Sequence, residues 1–119
     1  MTFLPETIFG VHRPVIVMVH LLPLPGTLRH DEELGLEGIL ERAVADACTA
    51  KEGGANGLII ENFGDMPFIP GSVEPITTSC MTRVVGAVRE SVDLPCGVSV
   101  LRNDPIAAIS IPATTECAF

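Results

Sequence analysis

The chain has 119 residues, with 15 acidic against 7 basic side chains and a formal charge of -8. That length holds one ordinary domain, and an apolar fraction of 47% describes a globular chain, not a disordered one. The acidity excludes a nucleic-acid partner, because phosphate binding needs clustered Lys and Arg, and the basic residues here lie scattered from Arg13 to Arg102.

The N-terminal stretch Met1 to Glu6 carries no basic region ahead of an apolar run, so no secretory leader is expected. The first element is Pro14 to His20, a β-branched run bounded by prolines. It does not alternate with polar residues, so it reads as a strand buried on both faces. The loop Leu21 to Gly35 follows. Its prolines Pro23 and Pro25 interrupt the uncharged stretch Pro14 to Leu28, which is too short to span a bilayer.

Leu36 to Glu52 reads as an amphipathic helix, with Leu36, Ile39, Leu40, Ala43, Ala47 and Ala50 on one stripe. Gly53-Gly54 ends it, since glycine takes the left-handed cap conformation at little cost. Gly57 to Asn62 is a second buried strand, and Pro75 to Ser91 a second helix with Met81, Val84, Val85 and Val88 inward. Cys96 to Leu101 is the third strand. Asp104-Pro105 then forms an N-cap and first-turn pair that opens a third helix. Pro112 lies where that helix should continue, and a proline there is expected to break it.

The series βαβαβα calls for a parallel α/β sheet with right-handed crossovers. The helix-to-strand links, Gly53 to Asn56 and Val92 to Leu94, are short. The strand-to-helix loops, Leu21 to Gly35 and Phe63 to Glu74, are long and gather at the C-terminal end of the sheet, where such folds bind ligands.

The polar residues at that end are the candidates for chemistry. His20 closes the first strand, Glu61 and Asn62 close the second, and Arg102, Asn103 and Asp104 follow the third. An imidazole, a carboxylate and a guanidinium there suit acid–base work on a small anionic metabolite, with His20, Glu61 and Arg102 as catalytic candidates. Asn62, Asp65, Asn103 and Asp104 are the substrate-binding candidates. The structural alternatives are a hydrogen-bonded His20 and a Glu61–Arg102 ion pair. Asp65 beside Glu61 is weak support for a cation, and the cysteines Cys48, Cys80, Cys96 and Cys117 match no zinc spacing, so no metal or cofactor is assigned. The thiols read as reduced, in a cytoplasmic protein. No nucleotide or serine-hydrolase motif occurs.

Three blocks carry a family resemblance: Val17 to Gly26, Gly57 to Phe68, and Val100 to Asp104. Their order and spacing resemble the BtpA/SgcQ family over about Arg13 to Ile109. The resemblance implies a TIM-barrel-type fold and a role in photosystem I biogenesis, with peripheral association at the thylakoid membrane. It also implies, through members associated with sugar metabolism, the alternative of an enzyme acting on a small phosphorylated sugar or related metabolite. No settled reaction comes with it. The six residues at the strand ends fall in its characteristic blocks.

A closed barrel needs eight strand–helix units, and three are present. The expectation is therefore an N-terminal arc of a barrel, truncated, with residues 110–119 following the family pattern only loosely and the isolated fragment inactive. The alternative is a small open α/β domain. Exposed strand edges and an uncovered sheet face predict self-association or aggregation.

Overall fold

The computed structural model describes residues 4–119. Residues 1–3, part of the stretch read above for a leader, lie outside it. In chain order the elements are α1 (Pro5–Phe9), β1 (Ile16–His20), α2 (Gly35–Glu52), β2 (Gly57–Glu61), a single 3-10 turn (Phe63–Asp65), α3 (Pro75–Ser91), β3 (Cys96–Ser99) and α4 (Pro105–Thr115). The strands form one open parallel sheet in the order β1-β2-β3. His20 sits opposite Glu61, and Glu61 opposite Ser99.

Strand side chains alternate between faces. Val17, Val19, Leu58, Ile60, Cys96 and Val98 point toward the helices and join the core. From the helices, Ile39, Ala43 and Ala47 of α2, Met81, Val84, Val85 and Val88 of α3, and Ala107 and Ile111 of α4 meet them. The small stripe of α2 lets that helix lie close, while the larger residues of α3 fill the centre. Arg83 on α3 reaches across to Glu37 on α2 at 2.5 Å.

The other face carries Ile16, Met18, His20, Ile59, Glu61 and Ser99. It corrects the expectation that β1 is buried on both sides, since Ile16 is 38% and Met18 41% exposed. All three long helices pack on the opposite face, so only one side of β1 is covered. The N-terminal half of the open face is covered by two aromatic rings. Phe9 of α1 lies against Gly57, Phe119 lies against Gly97, and the rings meet edge to face with centroids 5.4 Å apart. A Cβ at either glycine would collide with its ring.

The second correction concerns Pro112. Helix α4 runs through it to Thr115. Proline has no N–H to offer Ala108, so one ladder bond is forfeited. Buried Ala107 and Ile111 fix the helix to the core regardless. The hydroxyls of Thr114 and Thr115 donate to carbonyls of the last turns, and Cys117 N donates to the Pro112 carbonyl. Smaller differences lie at the ends. β3 stops at Ser99 where the reading carried it to Leu101, and Gly54 (φ 94°), not Gly53, takes the left-handed conformation after α2. α1 was not read from the sequence. Five residues offer too few turns for a periodic signal, although Pro5 at the first turn and left-handed Gly10 bracket it.

Candidate active site

All candidate residues lie at or just beyond the C-terminal ends of the three strands, but they divide into two groups with different work. On the open face a line of polar side chains crosses the sheet. Ser99 Oγ donates to Glu61 Oε2 at 2.7 Å, and His20 Nε2 lies 3.5 Å from Glu61 Oε1. Parallel register creates this line, because it sets the last residues of β1 and β2 and Ser99 of β3 level with one another. Behind it, the His20 ring stacks on Phe63, with centroids 4.3 Å apart and planes 14° apart. Phe63 stays half-exposed. Glu61 is thus held from both neighbouring strands, with one oxygen committed to a hydroxyl and the other turned toward an imidazole. Such a carboxylate can accept or return a proton in a fixed orientation.

The second group faces the helix side and shapes the loops. Asn62 is only 1% exposed. Its Oδ1 accepts from Leu101 N at 2.7 Å, and its Nδ2 donates to the Leu101 carbonyl at 3.0 Å. It therefore completes both hydrogen bonds of a peptide beyond β3, as an added strand residue would. Nδ2 also lies 3.3 Å from Asp65 Oδ2. Asp65 Oδ1 in turn accepts from Leu24 N at 2.8 Å, which ties the proline loop to the turn after β2. Burial pushes the Asp65 carboxyl above its ordinary range, and these hydrogen bonds only partly oppose it.

The proline loop is held at further points. His30 Nδ1 donates to the Pro23 carbonyl at 2.9 Å. Gly64 N donates to the Leu21 carbonyl, and Gly64 comes so near that an added Cβ would stand 2.5 Å from Leu21 O and 2.6 Å from Pro23 N. Only glycine leaves room for this close turn.

Asp104 is buried and caps α4. Its Oδ1 accepts from Ala107 N at 3.0 Å and its Oδ2 from Val73 N at 2.8 Å. Backbone donation, first from Ala107 and then from Val73, holds its carboxyl below the ordinary range. The cap thus occupies the N-terminus of α4. Asn103 adopts a left-handed backbone (φ 64°), and both it and Arg102 are exposed. The Arg102 backbone pairs with the loop after β2, through Ile69 O and Gly71 N. Arg102 forms no ion pair among the described residues, so the expected Glu61–Arg102 alternative is replaced by the Glu61–Ser99 hydrogen bond.

Ser99 was missed in the sequence. A serine two residues after a glycine in a short strand reads as filler. The available signal was parity: counted along parallel strands, Ser99 shares a face and a level with Glu61 and His20. A cleft of about 250 Å³ also opens beside this region, on the helix side, and Thr27, Asp65, Phe68, Glu74, Thr77 and Leu101 contribute to its walls. It does not include His20, Glu61 or Ser99, so the enclosed space and the aligned polar groups are separate features. Cys96 is buried in the core, and burial raises its thiol to about 11, which suits packing and not nucleophilic attack. Among the described residues no cluster of metal-ligating side chains occurs, and no helix is long and apolar enough to cross a membrane.

An uncharacterized protein of Thermococcus kodakarensis is 42% identical over 107 residues, covering 90% of this chain and 40% of the relative. The photosystem I biogenesis protein BtpA of Synechocystis is 40% identical over 111 residues, covering 93% of this chain and 38% of that protein. The putative sgc region protein SgcQ of Escherichia coli is 33% identical over 119 residues, covering all of this chain and 43% of its own. The chain thus spans about 40% of the length of these curated relatives. The profile of the BtpA family matches residues 11–119, which take in all three strands, the aligned His20, Glu61 and Ser99, and the loops that Asn62, Asp65 and Asp104 hold: the chain belongs to the BtpA family.

Proposed function

We propose that the complete protein is an enzyme that performs proton transfer on a small anionic metabolite, a phosphorylated sugar or a related compound, at the C-terminal end of a closed β/α barrel. The observation that carries this reading is the carboxylate of Glu61, oriented by Ser99 and set 3.5 Å from the His20 imidazole. Glu61 takes or returns the proton, and His20 relays it to the substrate or to water. Arg102 and Asn103, exposed on the loop after β3, supply charge and hydrogen bonds to the anionic end. Asn62, Asp65 and Asp104 contribute by shaping the binding loops, because their polar atoms are already committed to backbone groups. A cytoplasmic location fits a soluble metabolite.

The test uses a full-length family member. A library of sugar phosphates is screened by thermal shift, and turnover is followed by proton exchange in D₂O. A hit is expected, and the Glu61→Gln equivalent is expected to lower turnover by about 10²- to 10⁴-fold while the fold is kept. Full turnover in that variant, or no response to any member of the library, would overturn the reading.

The second reading is an accessory role in photosystem I biogenesis, with peripheral membrane association. It is supported by the 40% identical Synechocystis relative and its name. A source organism without photosystem I would remove it.

A further inference from the structure

The cleft on the helix side stands apart from the polar line of His20, Glu61 and Ser99. The proline loop after β1, the loop after β2, the start of α3 and the chain after β3 build it. Hydrogen bonds within the chain already fix these walls. Asp65 Oδ1 accepts from Leu24 N and Asp104 Oδ2 from Val73 N, each at 2.8 Å, and Gly71 N donates to the Arg102 carbonyl at 3.0 Å. The cleft is therefore formed in advance, and a ligand need not order these loops to enter it.

Its walls are mostly apolar, with Phe68, Ile69 and Leu101 among them. Two buried polar groups interrupt that surface, Thr77 and Asp65, each 7% exposed. Ser79, Thr82 and Ser91 of the same helix donate to the carbonyl four residues back, whereas the Thr77 hydroxyl makes no hydrogen bond among the described residues. A buried hydroxyl without a partner is uncommon, and this one borders the cleft. Asp65 Oδ2 also has capacity to spare, since its partner, Asn62 Nδ2, lies at 3.3 Å and a carboxylate oxygen accepts about two bonds. Burial and, after it, the Asp65 charge raise the Cys80 thiol, which places this carboxylate beside the part of α3 where Thr77 lies one turn before Cys80. No Lys, Arg or His contributes to the walls, and exposed Glu74 adds a second acid at the rim. Two acids and no base repel an anion, so the metabolite proposed for Glu61 does not belong here.

The geometry points to a second binding site, for a small primary amine with an apolar body, whose ammonium group donates to Asp65 Oδ2 and Thr77 Oγ1 while its body lies against Phe68, Ile69 and Leu101. An ammonium offers three donors, and both oxygens accept. Burial pushes the Asp65 carboxyl above its ordinary range, and a cation beside it supplies the counter-charge that the walls lack. The net charge of -8 draws cations toward the chain. A metal ion fits less well, because it needs oxygen ligands on most sides and the walls here are mostly apolar. The site is independent of proton transfer at Glu61, since His20, Glu61 and Ser99 take no part in it.

The experiment titrates the 119-residue chain at pH 7 with 2-phenylethylammonium and follows the backbone amides by NMR. Saturable shifts are expected at Ile69, Thr77 and Leu101, with Ile16 and Met18 on the open face of the sheet unmoved. Phenylacetate, of similar body and opposite charge, and uncharged 2-phenylethanol are expected to bind at least about tenfold more weakly, because hydrogen bonds between charged partners are the stronger ones. Thr77→Val keeps the shape of the side chain and removes its hydroxyl, and is expected to weaken binding of the amine about three- to tenfold. Asp65→Asn keeps an acceptor for Leu24 N and removes the charge, and is expected to weaken it about tenfold or more. Because Asp65 also anchors the proline loop, Thr77→Val decides the matter if Asp65→Asn does not fold. Overturning results are no saturable shift with the amine, shifts that lie away from the cleft, equal binding of phenylacetate, or an unchanged affinity in Thr77→Val.

Discussion

Asn62 does the work of a strand residue without belonging to one. By donating to and accepting from the Leu101 peptide it holds the chain after β3 against the end of β2. Asn62→Ala orphans both Leu101 groups, and each buried unpaired group costs about 1–3 kcal/mol. The expected outcome is a lower midpoint of chemical denaturation and faster amide exchange at Leu101, with the sheet retained. Asp104 gives a pH signature. Its carboxyl sits below the ordinary value of 3.8, so its stabilising contribution is complete above that value and is lost as pH falls through the lowered one. The gap in denaturation midpoint between the wild type and Asp104→Ala is therefore expected to stay constant from pH 7 to about pH 5 and to shrink below about pH 4. A gap that does not change with pH would show that the carboxylate's charge plays no part in the cap. Asp65 has the opposite sign. Burial raises its carboxyl, so its ionisation weakens the fold as pH rises from 3.8 upward.

The long elements were legible because each writes its period over many residues. The alternation of β-branched runs with amphipathic stretches marks α2, α3 and all three strands to within a few residues, and the polar residues at the strand ends supplied the candidates for chemistry. What the sequence did not reveal depends on contacts from elsewhere in the chain. The Glu61–Ser99 bond needs the register between β2 and β3, and no single strand contains it. The burial of β1 depends on which faces the helices choose. Asn62, Asp65 and Asp104 look like substrate ligands in one dimension, because a polar residue at a strand end reads the same whether it faces a ligand or a backbone amide. Pro112 was misjudged for a related reason. Its local cost is real, but Ile111 beside it is anchored in the core. That cost remains measurable. Pro112→Ala restores an N–H to the helix and is expected to raise stability by about 1–3 kcal/mol, read as a higher melting temperature. A lower melting temperature would show that the proline ring packs to advantage.

At the scale of the molecule, one layer of helices protects one side of a three-stranded sheet, and charge limits contact through the other. A net charge of -8 opposes contact between copies at neutral pH. As the pH falls toward 5 and carboxylates begin to take up protons, that repulsion shrinks while Ile16 and Met18 remain exposed. Light scattering from the isolated chain is expected to rise on acidification toward pH 5, and added salt at pH 7 to have a similar, smaller effect. Clear solutions throughout would show that the open face does not drive association.

The two glycine seats couple distant parts of the sequence. Phe9 and Phe119 lie 110 positions apart, yet their rings meet over the same stretch of sheet. What disturbs either ring is felt at the other, although one belongs to a short helix and the other to the edge of β3.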